Sequence, residues 1–68
     1  MSSGTPTSAG SQLSSVATAL AELTARVTEI AEALAAAERD DLAAELFEAE
    51  RSMLAAGRRL EKVVDDAS

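Results

Sequence analysis

Cysteine and histidine are both missing from the 68 residues, and with them go disulfides, thiolate chemistry and the usual nitrogen and sulfur ligands of zinc. Only carboxylates are left to hold a metal. Glycine occurs three times, at Gly4, Gly10 and Gly57, too scattered to build a phosphate-cradling loop. Apolar runs are all far shorter than a bilayer-spanning segment, and Met1 to Ser11 has neither the basic start nor the apolar core of a secretory signal. A soluble, cytoplasmic protein is the expectation. Positive charge is scarce as well, with six Lys and Arg against twelve Asp and Glu, a formal net charge of -6. That sign repels phosphate backbones and anionic lipid, so no direct nucleic-acid or membrane partner is expected. Alanine is abundant and Lys62 is the only lysine, a bias in keeping with a GC-rich bacterial genome.

What the chain does have is helical periodicity. Leu13, Val16, Leu20, Leu23, Val27, Ile30 and Leu34 alternate intervals of three and four, the heptad spacing that lays one apolar seam along a helix. Ala17, Ala19, Ala31 and Ala33 flank the seam, small enough to let another backbone approach. Glu22, Glu29 and Glu32 are expected to point to water, with Arg26 one turn after Glu22. Upstream, residues 1–11 are small, polar or helix-breaking and predict a disordered tail. Ser11 is the candidate N-cap of a first helix over about 12–38.

A second series, Leu42, Leu46, Ala49, Met53, Ala56, Leu60 and Val63, has the same spacing but not the same phase. Leu34 and Leu46 would sit roughly 120° apart on one straight helix. The break falls at Glu38-Arg39-Asp40-Asp41, where paired aspartates suit a new helix N-terminus better than a helix interior. The sequence therefore predicts an all-α fold: an antiparallel, coiled-coil-like helical hairpin over 12–66, with a turn at 39–41 and a second helix over about 42–64. Folding about that turn is expected to set Ala49 near Ile30 and Ala56 near Leu23, large against small. Gly57, beside that patch, marks either close backbone approach or an incidental glycine.

A two-helix layer this small lacks any covalent or metal staple and buries little surface, so a partner is expected. Phe47 and Leu54, seven residues apart, lie about 100° from the Leu46–Met53–Leu60 row. With Ala43 and Val64 they suggest a partner-binding stripe, served most simply by a homodimer in which two hairpins form a four-helix bundle. The plainer alternative is that Phe47 and Leu54 widen the single core seam.

Reactive constellations are lacking. Ser52 has Glu48 one turn before it, an ordinary solvated pair on a helix surface, and nothing else supplies a nucleophile beside a base. Neither the Glu45–Glu48 pair nor Asp40 with Asp41 gathers the six or more oxygens a hard cation needs. Arg51, Arg58, Arg59 and Lys62 form a basic end to the second helix and are the candidate anion-binding residues. The plainer reading of them is compensation of the helix dipole and pairing with nearby acids. A cyclic-dinucleotide clamp of the pattern Glu-x3-Ser-x2-Arg-x3-Gln-x3-Asp is matched by Glu48 and Ser52 but broken at Ala55, Arg59 and Val63. No Trp-x-Gly turn of the kind found in some secreted hairpins is present either.

The functional expectation is a non-enzymatic adaptor or regulator without cofactor or metal. It would act through helix–helix packing, associate with itself and engage a larger protein. The alternative from another class is a small-ligand or nucleotide sensor built on the basic end of the second helix. A third is an acidic mimic of nucleic acid.

Overall fold

The computed structural model describes residues 6–67, with side chains from Ala9 onward. Two helices account for nearly all of it: α1, Pro6–Ala36, and α2, Asp40–Ala67. They pack along their length as an antiparallel hairpin whose Cα atoms span 54 × 15 × 11 Å. The expected hairpin is thus present.

Its boundaries differ from the sequence expectation. Helix α1 begins at Pro6, so Ser11 lies within the helix and is not its cap. Proline suits the first helical position because its missing N–H would have no intrahelical acceptor there. What was expected of residues 1–5 lies outside the described residues. At the other end α2 runs through Asp65 and Asp66 to Ala67, beyond the expected end near residue 64.

Helix α1 stops two residues earlier than expected, and its stop has a definite geometry. Glu38 takes a left-handed backbone conformation, φ 63°. The N–H of Arg39 reaches back to the carbonyl of Leu34 at 2.8 Å, and the N–H of Glu38 to that of Ala35 at 3.0 Å. These two bonds make a Schellman C-cap, with a glutamate where glycine is usual. Arg39 then starts α2, its carbonyl accepting the N–H of Ala43 at 2.9 Å. Asp40 and Asp41 therefore occupy the first turn of α2 rather than the cap, where their charge favours the positive end of the helix dipole.

Two contacts fix the register. A Cβ added at Gly10 would lie 3.7 Å from the Cβ of Ala67, and one at Gly57 3.8 Å from Cδ2 of Leu20. This register sets Ala17 level with Leu60, Thr24 with Met53, Ala31 with Leu46 and Leu34 with Ala43. With Leu13, Leu20, Val27 and Leu34 as heptad position a, the inward residues of α1 are a and e, the e row being Gly10, Ala17, Thr24 and Ala31. In α2, with Leu46, Met53 and Leu60 at a, the e row is Ala43, Glu50, Gly57 and Val64. The a residues Leu46, Met53 and Leu60 of α2 oppose the small e residues of α1, and Leu34 and Leu20 oppose Ala43 and Gly57, so the backbones can come close there; Val27 and Leu13 instead stand level with Glu50 and Val64.

The expected pairs, Ala49 with Ile30 and Ala56 with Leu23, are not part of this interface; all four residues are exposed. The d rows that contain them carry Val, Leu and Ile in α1, which would hold two backbones further apart than Ala, Thr and Gly at e. Two helices alone close on the smaller row. As a result Ala31 and Ala43 form the buried apolar centre with Thr24 beside them, and no large side chain is fully buried among the described residues.

Polar groups inside the seam are satisfied locally. Thr24 is buried, 4% exposed, and its hydroxyl donates to the Leu20 carbonyl at 2.7 Å. Thr28 Oγ1 lies 2.7 Å from Glu50 Oε2 and 3.1 Å from the Thr24 carbonyl. Its single proton serves one acceptor at a time, and the carboxylate gives the shorter, charge-assisted bond. This bond ties the two helices together across a half-buried position.

Candidate protein interaction face

The hairpin has two broad faces of different chemistry. On one, Ser14, Ala17, Thr18 and Ala21 of α1 and Glu61, Val64 and Asp65 of α2 line a shallow groove. It continues past Thr24 to Leu54, Gly57 and Arg58. The α1 d row, Val16, Leu23 and Ile30, lies on the opposite side of the a/e seam, and so does the α2 d row, Leu42, Ala49, Ala56 and Val63. The second face is therefore apolar along its length.

Exposure distinguishes the faces clearly. The exposed large apolar residues are Val16 (51%), Leu23 (53%), Ile30 (54%), Leu42 (41%), Val63 (48%) and Leu54 (46%). All but Leu54 belong to the d rows. Flanking this face at wider angles stand Gln12 and Arg26 of α1, alternating with Ala19 and Ala33, and Glu45, Ser52, Arg59 and Asp66 of α2, so the rim is polar along α2 and mixed along α1.

The residues expected to bind a partner are scattered by comparison. Ala43 is buried within the hairpin at 3% exposure and cannot contact a partner. Val64, in the inward e row, and Phe47, beside the seam, are half-buried, and Leu54 alone of the four is exposed. Phe47 packs partly against the internal seam, and Leu54 lies on the groove face. The larger apolar face belongs to the same a/d series that the sequence presents as a core: its d positions point out of the hairpin. Small residues recurring every seven positions at Gly10, Ala17, Thr24 and Ala31, matched by Ala43 and Gly57, are the signal that would have identified the true inward row.

The basic residues do not converge. Arg51 Nη2 lies 2.8 Å from Glu48 Oε2 on the same helix, both side chains largely exposed. Arg58 lines the groove together with the carboxylate of Glu61, so that surface is mixed in sign. Arg59, one residue further, is turned about 100° away from Arg58. The other ion pair among the described residues, Arg39 Nε with Asp41 Oδ1 at 3.9 Å, is exposed and contributes little. Among the described residues no group of acids gathers in a way that could hold a metal ion, and no helix is long and apolar enough to cross a membrane. Compared with known proteins, the chain matches no family model, no curated protein and no solved structure.

Proposed function

We propose that this protein is a non-enzymatic interaction module that acts by helix–helix packing and associates with itself through its d-row face, two hairpins making a four-helix bundle. The observation that carries the reading is the concentration of Val16, Leu23, Ile30, Leu42 and Val63, each 41–54% exposed, on one side of the hairpin. Apolar residues scattered singly over a surface need no explanation, but a contiguous patch rimmed by polar groups marks an association site. Heptad logic points the same way. A helix in a four-helix bundle directs a and d to the common core, and here the a rows are half-buried while the d rows await a second layer.

Association would leave the groove and Leu54 on the outside, together with most of the acidic surface. That outer surface is where a larger client protein would be engaged, as an adaptor or regulator requires.

Sedimentation velocity over a range of concentrations tests the reading. The protein is expected to sediment as a dimer and Leu23→Glu as a monomer, because a carboxylate at the centre of the face would be buried without a partner. Leu54→Glu, on the groove face, is expected to keep the dimer. A monomer at every concentration, or a dimer indifferent to Leu23→Glu and split by Leu54→Glu, would overturn it.

A further inference from the structure

We infer that the occupant of the d-row face is a second copy placed with its turn at the same end, so that α1 of each hairpin lies over α2 of the other. The inference rests on the proposed self-association and adds its topology. It follows from the relief of the face. On α1 the d row is a ridge of Val16, Leu23 and Ile30; on α2 the middle of the d row is a valley of Ala49 and Ala56. In the register of the hairpin Leu23 stands level with Leu54 and Ile30 with Phe47, which leaves each within two residues, about 3 Å along the axis, of Ala56 and Ala49.

A twofold axis parallel to the helices preserves level and exchanges sides. It brings the Leu23 and Ile30 ridge of each copy over the Ala56 and Ala49 valley of the other, to within about 3 Å along the axis, and fills both valleys at once. The other twofold arrangement of stacked hairpins, with the axis across the helices, lays ridge on ridge and valley on valley. That holds the α1 helices apart while leaving voids between the α2 helices.

Size agrees with a second copy as occupant. The Cα extents of 54 by 15 Å give the face an area of about 800 Å², the contribution each partner makes to a stable interface of standard size. The arrangement also brings both acidic turns to one end. Asp41 there has a side chain 76% exposed, where solvent and salt screen like charges.

Because the chain has no cysteine, Asp41→Cys can carry a single spin label near the turn, outside the a, d and e rows. Turns at one end predict a label separation of about 20–25 Å, roughly two helix diameters. Turns at opposite ends predict about 40 Å or more, the length of the 28-residue α2 at about 1.5 Å per residue. The second measurement is the dimer dissociation constant of Ala56→Leu. Filling the valley is expected to weaken the ridge-in-valley dimer at least tenfold, and would tighten a valley-on-valley one. A dimer with the short separation and a weakened Ala56→Leu variant bears the topology out. A dimer with the long separation, or one tightened by Ala56→Leu, overturns the topology and leaves self-association standing; a monomeric mass throughout overturns both.

Discussion

Gly57→Ala is expected to stabilise the protein. Gly57 sits in the interior of α2, half-buried, where glycine costs about 0.8–1.0 kcal/mol relative to alanine because its backbone loses more freedom on folding. The only neighbour a Cβ would meet is Cδ2 of Leu20, at 3.8 Å, ordinary contact that requires nothing to move. The added methyl also covers some apolar surface, worth at most about 0.8 kcal/mol for a complete burial and less at a half-buried position. The sum is about 1–1.5 kcal/mol, and at roughly 4–8 °C per kcal/mol for a domain of this size the melting temperature should rise by about 4–12 °C. Thermal and urea melts followed by far-UV circular dichroism would measure it. Protein concentration must be held fixed, since the proposed association would contribute to the apparent stability. Gly57→Leu provides the opposing control, because a branched side chain would meet Leu20 and cost about 1–3 kcal/mol by overpacking. Should Gly57→Ala melt lower than the parent, the helices would have to approach more closely than this register allows, and the large-on-small account of the seam would be wrong.

Glu38→Gly should add about 1 kcal/mol by relieving the left-handed conformation at the C-cap, measurable by urea titration, whereas Glu38→Ala should add almost nothing because the strain belongs to the Cβ. Thr28→Val should lower stability by about 1–3 kcal/mol, since it leaves the half-buried Glu50 carboxylate without its cross-helix donor; Thr28→Ser, which keeps the hydroxyl, should recover most of the loss in the same melts. Added salt should tighten self-association, because each copy carries a charge of -6 and screening weakens their repulsion; a dimer dissociation constant that rises with salt would contradict this.

The hairpin could be read from the sequence because its causes are local. A phase break between Leu34 and Leu46 and an acidic cluster at the break are properties of neighbouring residues. The helix ends were harder to place. Proline at position 6 begins α1 where small polar residues suggested a tail, and Glu38 caps it in a conformation that ordinarily announces itself as glycine. The internal register was missed for a physical reason: an a/d/e stripe contains two valid seams, and large residues draw the eye to a/d. Which seam closes first depends on how near two backbones can come. That is decided by the small residues Ala17, Ala31, Ala43 and Gly57, which look like background in an alanine-rich chain. The Thr28–Glu50 bond has no sequence signature, because it needs the register before it can be anticipated. Of the residues expected to meet a partner, Leu54 was found exposed by its phase, and Ala43 was misplaced by the same uncertainty over which row faces in.

Sorting each helix into three rows separates folding from association. Row e touches only the sister helix, so Ala31→Leu should disrupt the hairpin by overpacking, at about 1–3 kcal/mol, and association should fall only as a consequence. Row d is exposed in the hairpin, so Leu23→Ala should leave the hairpin contacts as they are and weaken the dimer alone. Row a would serve both in the proposed bundle; in the hairpin alone its leucines are half-buried. Leu20→Ala should therefore lower helicity and association together. The separation is testable by measuring far-UV helicity and sedimentation mass for the three variants at one concentration. If Leu23→Ala reduced helicity at high dilution as much as Leu20→Ala, the d row would already be packed within a single hairpin and no face would remain for a second copy. If it changes mass and leaves the helix signal of the dilute protein alone, the d row belongs to the assembly rather than to the fold.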